Sequence, residues 1–185
     1  KAKRKPTDSE LKSQFPLVKD VISAFNIAIY EKEGYEADDI IATIAQNAQN
    51  SQIQVVIVTG DKDVLQLVNE NVKVLNEQTN IFYDKEEVIK NWGIPPENIT
   101  DFLALSGDVS DNIPGIPGIG KKTAVKLIQQ FGSVENIIKN HKAGDGKSDS
   151  PINEHSQSAL LSKKLVTLVK DIPMGVDFEQ LKLIQ

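Results

Sequence analysis

Acidic residues that could bind metal ions occur in three short clusters along this chain. Grouped carboxylates are the ligands that hard divalent cations require. The chain has no cysteine and two histidines, so oxygen ligands and Mg²⁺ or Mn²⁺ are expected rather than Zn²⁺. So many carboxylates repel one another unless cations are bound, and two ions about 3.5–4 Å apart would form a site for phosphodiester hydrolysis. The seven candidate metal ligands are Glu36, Asp38, Asp39, Asp61, Asp63, Asp108 and Asp111.

A glycine-rich segment with lysines follows the third acidic cluster. Glycines let a backbone approach a phosphate closely, and a helix N-terminus offers free amide hydrogens to it. We expect a helix-hairpin-helix that holds a nucleic-acid backbone, with isoleucines anchoring the turn to the core; a plain helix–helix turn is the alternative. A P-loop is excluded by the glycine spacing. The candidate DNA contacts are Gly115, Gly118, Ile119, Gly120, Lys121, Lys122, Thr123 and Lys126.

Hydrophobic periodicity predicts the elements that must position these residues. Pro16 predicts a kink or short break in the first helix. The β-branched run at 53–59 predicts a strand buried on both faces. Strands are predicted at 27–30, 53–59, 72–75 and 81–83, and helices from Thr7–Asp8 to about 25, from Glu36 to 45, from Asp84 to 92, and at 64–68, 97–105, 121–131, 133–140 and 156–169.

The order of these elements predicts an α/β fold with a parallel sheet over residues 1–95, followed by a helical subdomain over 96–185. The first two acidic clusters follow the predicted strands 27–30 and 53–59, and sites in open α/β sheets gather at the carboxyl ends of strands. We therefore expect these clusters to face each other. Asp108 and Asp111 are three residues apart and can share one face of a helical turn.

Each acidic cluster taken alone is also typical of ordinary structure. Acids in the first turn of a helix complement its dipole, and Asp-x-Asp after a strand commonly forms a solvated turn. Three classes of function therefore stay open: a metal-dependent DNA nuclease, a non-catalytic DNA-binding module, and a related nuclease acting on RNA. The joint occurrence of the acids and the hairpin favours the first.

Charge and hydropathy set further expectations. The net charge of −5 argues weakly against a nucleic-acid binder, but local charge decides how a polyanion is steered. Aromatic residues do not alternate with basic ones in the sequence, so base stacking on an aromatic platform is not expected. No apolar run is long enough to span a bilayer and no signal peptide is visible. We expect a monomer in the cytoplasm with no membrane partner.

Three motifs resemble those of the 5′-nuclease domain of bacterial DNA polymerase I, the bacterial branch of the flap endonucleases. They are Gly34-Tyr-Glu-Ala-Asp-Asp39, Thr59-Gly-Asp-Lys-Asp63 and Leu105-Ser-Gly-Asp-Val-Ser-Asp-Asn-Ile-Pro-Gly-Ile-Pro-Gly-Ile-Gly-Lys-Lys-Thr-Ala124. The resemblance extends over essentially the whole chain. It implies a PIN-like fold with a helix–three-turn–helix subdomain, and a metal-dependent 5′→3′ exonuclease and flap endonuclease used in primer removal and repair.

The resemblance also implies roles for individual residues. Glu36 and Asp38 resemble ligands of a first metal ion, and Asp39 and Asp111 resemble outer ligands. The second metal ion would be surrounded by Asp38, Asp61, Asp63 and Asp108. The hairpin at 118–120 is similar to a site for K⁺ and duplex backbone, and Lys1 and Arg4 match a basic arch that contacts the scissile phosphate. The implied partners are flap, nicked or gapped DNA and a DNA polymerase, in the bacterial cytoplasm at the nucleoid.

The sequence departs from the family at its beginning. The family starts with a strand that carries an aspartate and continues to a second upstream aspartate, and neither has a counterpart here. From the resemblance we expect the first strand to be missing and the first metal site to be incomplete. The 185-residue polypeptide alone would then bind DNA weakly and cleave it poorly or not at all.

Overall fold

A computed structural model describes residues 6–143 and 150–182 of the chain. Helices dominate, and a small sheet lies in the first half. The α-helices are α1 (Ser9–Ala24), α2 (Ala37–Asn50), α3 (Lys85–Trp92), α4 (Ile99–Ser106), α5 (Lys121–Phe131), α6 (Val134–Ala143), α7 (Pro151–Glu154) and α8 (Ser156–Val166). The strands are β1 (Val55–Val58), β2 (Val72–Asn76) and β3 (Ile81–Tyr83), and two 3-10 helices span Lys62–Leu67 and Pro96–Asn98.

Helix α1 is set by local signals. The Asp8 side chain accepts a hydrogen bond from the Glu10 amide at 2.8 Å, which satisfies a free donor of the first turn. The helix continues through Pro16, so the predicted break is absent. None of its residues is buried, and apolar side chains such as Phe15 and Val21 are about half exposed.

The predicted strand at 27–30 is wrong. After α1 the chain turns through Asn26 at a positive φ of 55°, and residues 27–32 are irregular. A strand needs a hydrogen-bonded neighbour, and in the described sheet β1 pairs with β2 alone. The first acidic cluster therefore follows an irregular segment rather than a strand.

The sheet is mixed rather than wholly parallel. Strands β1 and β2 pair in parallel, with Ile57 opposite Val74, and the chain between them includes the first 3-10 helix. Strand β3 returns antiparallel to β2, with Leu75 opposite Phe82. The loop between β2 and β3 is too short for the crossover that a parallel pair requires, so the antiparallel pairing follows from its length.

Strand β1 is buried on one face, not on both as predicted. Ile57 is 6% exposed, whereas Val56 and Val58 are 54% and 56% exposed. The inward face belongs to a core that also contains Val72 and Val74 of β2. The continuous apolar sequence of β1 predicted burial of both faces, but the described residues cover only one.

Helix α4 forms the centre of the molecule. Ile99, Leu103 and Leu105 are almost fully inaccessible to solvent, and α4 contacts α5, α6, α8 and both 3-10 helices. The predicted single helix at 97–105 is a 3-10 turn followed by α4. One hydrophobic cluster extends from Ala42 of α2 to Val166 of α8, so the sheet and the helical part share a core.

A buried carboxylate fixes the helical part around α4. Asp101 is 3% exposed and accepts a hydrogen bond from the Val134 amide at 2.9 Å, at the start of α6. Asn98 donates to the same carboxylate at 3.3 Å, and the Lys163 ammonium of α8 lies 2.7 Å from it. Lys163 also pairs with Glu135 at 2.8 Å, so three helices are held by one charge network.

The remaining sequence predictions of helix bounds were largely confirmed. Helix α5 matches the predicted residues, and Asp84 caps α3, which ends at Gly93 in the left-handed conformation. Helix α8 ends at Val166, three residues before the predicted end. Within the described ranges, no helix is both long and apolar enough to span a bilayer.

Two glycines allow a close backbone crossing beside α4. Gly107 and Gly115 both have positive φ, at 74° and 63°. A Cβ at Gly115 would lie 2.4 Å from the Gly107 nitrogen, and one at Gly107 would lie 2.8 Å from the Ile113 oxygen. Since these clashes are with backbone, only glycine fits at either position.

Gly115→Ala should therefore destabilise the fold by on the order of 3 kcal/mol, because it adds a backbone clash to an unfavourable φ. Gly120→Ala is the matched control, since a Cβ at Gly120 would meet no atom within 4 Å and the residue has a negative φ of −86°. Urea unfolding measures both variants. Equal midpoints for the two would contradict the close crossing.

Candidate metal centre and nucleic-acid interface

The first part of the site follows β1 directly. The Thr59 hydroxyl accepts a hydrogen bond from the Asp61 amide at 3.0 Å, and the Asp61 side chain accepts one from the Asp63 amide at 3.0 Å. Asp61 thereby caps the 3-10 helix that carries Asp63. This confirms a turn at the carboxyl end of β1, in which the Asp61 side chain caps the 3-10 helix that carries Asp63.

The second part of the site is a tight turn, not the helical turn that the sequence suggested. Asp108 and Ile113 form an antiparallel bridge with two backbone hydrogen bonds of 2.9 and 2.7 Å. The turn between them includes Asn112 at a φ of 60°, which a helix does not allow. Asp108 is 7% exposed, and its side chain accepts hydrogen bonds from the amide and hydroxyl of Ser110.

Three of the predicted ligands meet in space. Asp63, Asp108 and Asp111 each offer a carboxylate oxygen, and these oxygens all lie within 4.8 Å of one another. They come from two segments 45 residues apart, which the contact between α4 and the first 3-10 helix brings together. The Asp63 Oδ1 atom is buried without a hydrogen-bond partner among the described residues. A buried, unpartnered carboxylate oxygen beside two other carboxylates is suited to a divalent cation.

The electrostatics of this cluster show the strain of concentrated negative charge. Burial, together with Asp61, Asp108 and Asp111, raises the pKa of Asp63 to about 7 from an ordinary 3.8, against the opposing effect of Lys62. Asp108 shows the opposite balance. Burial disfavours its ionised form, but hydrogen bonds from Lys62 and Ser110 outweigh that effect and hold its pKa below the usual value.

Lys62 is an internal counter-ion that sequence reasoning missed. Its ammonium donates to the Asp108 Oδ2 at 2.6 Å, in a part-buried ion pair. Burial lowers the pKa of Lys62, but its contact with Asp108 outweighs this, so the pKa is raised overall. Lys62 stands between Asp61 and Asp63 in the sequence, but spacing along the chain does not show which way its side chain points.

The first acidic cluster is not part of the three-carboxylate group. Glu36 and Asp39 form a capping box at the start of α2, with the Glu36 amide donating to Asp39 at 3.3 Å. Asp39 also accepts a hydrogen bond from the Val169 amide at 2.9 Å. Asp38 lies half-buried in the same first turn. Helix α2 packs against β1 and the first 3-10 helix, so these acids start a helix that adjoins the site.

The glycine-rich hairpin separates into an anchored part and an open part. Gly115 and Ile119 are buried, and Ile119 is 8% exposed within the core as the sequence predicted for an anchor. A Cβ at Gly118 or Gly120 would meet no atom within 4 Å. Helix α5 begins at Lys121 with Gly120 as a cap that provides no side-chain hydrogen bond. The first amides of α5 are thus available to an anion.

Four candidate contacts on α5 are solvent-exposed: Lys121, Lys122, Thr123 and Lys126. Among residues 6–143 and 150–182, no ion pair involves the three lysines of this set. The two remaining candidates, Lys1 and Arg4, lie outside the described residues.

The described residues thus combine an α/β core, clustered carboxylates and a glycine hairpin that opens a helix. Two family models match the whole chain. The N-terminal resolvase-like domain of 5′-3′ exonucleases matches residues 1–93, and the C-terminal SAM fold of 5′-3′ exonucleases matches residues 94–185. The chain therefore belongs to the 5′-3′ exonuclease family.

Two relatives of the chain are bacterial DNA polymerases I. The chain is 42% identical over 186 residues to DNA polymerase I of Bacillus caldotenax and 40% identical over 187 residues to that of Bacillus subtilis. Each alignment covers 98% of this chain and 21% of the relative. The chain thus spans about a fifth of the length of these polymerases.

Solved structures share the fold. T5 5′-exonuclease with bound divalent zinc ions matches with a TM-score of 0.76 and 26% identity, covering 91% of this chain and 64% of that one. A T5 flap endonuclease complex with DNA and metal ions matches with a TM-score of 0.74 and 25% identity, over the same shares of the two chains. The catalytic core of Rad2 with DNA substrate shares the fold at a TM-score of 0.53, 20% identity and coverage of 88% and 52%.

Asp63→Asn should stabilise the metal-free protein at pH 8 by on the order of 2 kcal/mol, since it removes a buried, repelled charge. Because the pKa of Asp63 is raised in the folded state, its ionisation costs stability as pH rises from 3.8 to about 7. The gain should be small near pH 4 and complete above pH 7. Urea unfolding across this pH range, in EDTA, measures it.

The effect of Mg²⁺ on stability tests the same carboxylate with a cation present. Millimolar Mg²⁺ should stabilise the wild-type protein at pH 8 and leave Asp63→Asn almost unchanged. Asp20→Asn, on exposed α1, is the matched control and should respond as the wild type does. An equal Mg²⁺ response in all three proteins would contradict a cation at Asp63.

Lys62→Met should lower the free energy of unfolding without divalent ions by about 1–2 kcal/mol, because Asp108 loses its partner in a part-buried pair. The same change should tighten Mn²⁺ binding at least fivefold, since no ammonium competes for Asp108. Calorimetric titration with Mn²⁺ measures the affinity. Lys90→Met removes an exposed pair with Glu87 and serves as control; an unchanged Mn²⁺ affinity in Lys62→Met would refute the competition.

Proposed function

We propose that this chain is the nuclease portion of a DNA-processing enzyme. It hydrolyses DNA phosphodiesters as a metal-dependent 5′→3′ exonuclease and 5′-flap endonuclease, in primer removal and repair. The observation that carries the proposal is the group of Asp63, Asp108 and Asp111 with the unpartnered Oδ1 of Asp63. Family membership and the metal-bound T5 relative support the same chemistry.

The carboxylates hold the metal ions in this proposal. Asp63, Asp108 and Asp111 supply oxygen ligands for Mg²⁺ or Mn²⁺, which suits a set without cysteine or histidine. Two bound ions would activate the attacking water and stabilise the leaving oxygen. Asp61 shapes the turn that presents Asp63, and Ser110 orients Asp108. Glu36, Asp38 and Asp39 would complete the set from the start of α2, as the family resemblance implies.

The hairpin positions the DNA. Exposed Gly118 and Gly120 let a phosphate approach the backbone, and the lysines at the start of α5 add charge. Such contacts place a duplex without reading its sequence. A K⁺ ion held by hairpin carbonyls would bridge to the same backbone. Nicked, gapped or flap DNA is the proposed substrate, in the bacterial cytoplasm, for a monomer fused to or acting with a DNA polymerase.

Asp108→Asn should separate chemistry from binding. In the polymerase-fused form, we expect cleavage of a 5′-flap duplex in Mg²⁺ to fall by roughly a hundredfold or more, because Asn loses the charge of a metal ligand but keeps the oxygen that accepts from Ser110. DNA affinity, measured by anisotropy in Ca²⁺, should stay within about threefold. Asp20→Asn is the matched control and should cleave as the wild type does.

The outcomes distinguish the rival functions. A polymerase-fused protein that binds flap DNA but shows no metal-dependent cleavage, in either wild type or control, would be a non-catalytic DNA-binding module. Faster cleavage of an RNA flap than of a DNA flap would identify an RNA nuclease. Either result would overturn the proposal.

A further inference from the structure

A cleft between α3, α4 and α5 lies outside the carboxylate site. Its volume is about 500 Å³, within the roughly 300–1,000 Å³ typical of small-molecule sites. Trp92, Phe102 and Val125 provide its apolar surface, and Lys121, Lys122 and Lys126 line it from α5. Neither the metal ligands nor the hairpin glycines account for it.

The apolar walls of the cleft are fixed by packing. The Trp92 and Phe102 rings meet edge to face with centroids 5.5 Å apart, and Phe102 is 3% exposed. Across the cleft, Gln129 of α5 donates to the Gly93 carbonyl at 2.7 Å, which ties α5 to the end of α3. The indole is therefore held in place before any ligand arrives, which reduces the cost of binding one.

All charged side chains that line the cleft are positive. Its described lining contains three lysines and no acidic residue. The lysines are exposed and form no ion pair within the described ranges. A ligand that fits must therefore combine anionic groups with a flat apolar part.

Trp92 also relates the cleft to the candidate metal centre. It lines a second, smaller cavity of about 80 Å³ together with Gly60, Asp61 and Lys62. The Trp92 side chain thus borders both the cleft and the loop that presents Asp63. A strand held on α5 would pass the indole on its way to the carboxylates.

We propose that this cleft receives an unpaired nucleotide of single-stranded DNA, with its base against Trp92 and its flanking phosphates on Lys121, Lys122 and Lys126. The inference rests on the proposed function and deepens it by assigning a place to a flap or gap nucleotide. A base in a duplex has both faces stacked, whereas an unpaired base offers a face to an aromatic ring. The fold thus brings together an aromatic residue and lysines that the sequence keeps apart.

The chain contains a single tryptophan, so tryptophan fluorescence reports on Trp92 and the two cavities that it lines. A thymidine decamer should quench Trp92 strongly and bind about tenfold more tightly than an abasic decamer with the same phosphates. The abasic strand should leave the fluorescence almost unchanged. Equal affinity and equal fluorescence response for the two strands would overturn the inference.

Val125→Met tests the cleft without changing its charge. The longer side chain occupies space beside Trp92, so the advantage of the base-containing strand should disappear while abasic-strand affinity stays the same. Lys126→Ala should weaken both strands, and Lys164→Ala, at an exposed position on α8, should weaken neither. Circular dichroism confirms that each variant is folded. A Val125→Met protein that keeps the tenfold base preference contradicts the proposal.

Binding of a nicked duplex, measured beside the two decamers, separates this inference from the proposed function. If nicked duplex binds but the two decamers are indistinguishable, the cleft assignment fails and the nuclease proposal stands. If neither duplex nor decamer binds, both fail. If thymidine monophosphate quenches Trp92 while the decamer does not, the cleft takes free nucleotides and the strand assignment is wrong.

Discussion

Three carboxylates crowded into one part-buried position set the main constraint on this molecule. Asp63, Asp108 and Asp111 bring oxygens within 4.8 Å of one another, where the local dielectric is low and like charges repel strongly. The raised pKa of Asp63 and the ion pair of Lys62 with Asp108 are two consequences of this crowding. Crowded negative charge lowers the stability of the fold, so a cation is the natural complement of the site.

The junction around α4 makes this crowding possible. The helix is buried against both halves of the chain, and its end leads through Gly107 into the turn that carries Asp108. The contact between Gly107 and Gly115 then fixes the hairpin against the same turn. The acidic turn and the hairpin glycines are thus joined by a close backbone crossing. Under the proposed function, this crossing would set the distance between a strand on the hairpin and the carboxylates.

The sequence was most informative where a local signal determines structure. The bounds of α5, the caps at Asp8 and Asp84, and the core anchoring of Ile119 follow from capping and spacing. Prediction from the sequence failed where a neighbouring strand determines whether a segment forms a strand. Residues 27–30 have strand-like composition but no described neighbouring strand.

The side chains of the candidate site were harder to recognise from the sequence. The grouping of Asp63 with Asp108 and Asp111 was foreseen from cluster logic, although the supposed helical turn is a bridged turn. Lys62 and the proposed site at Trp92 were missed, because both depend on side-chain direction across elements distant in sequence.

A crystal of the protein soaked in Mn²⁺ and measured for anomalous scattering would locate the cation directly. We predict a peak about 2.1 Å from oxygens of Asp63, Asp108 and Asp111; Mn²⁺ bound elsewhere, with this cluster unoccupied at saturating concentration, would contradict it.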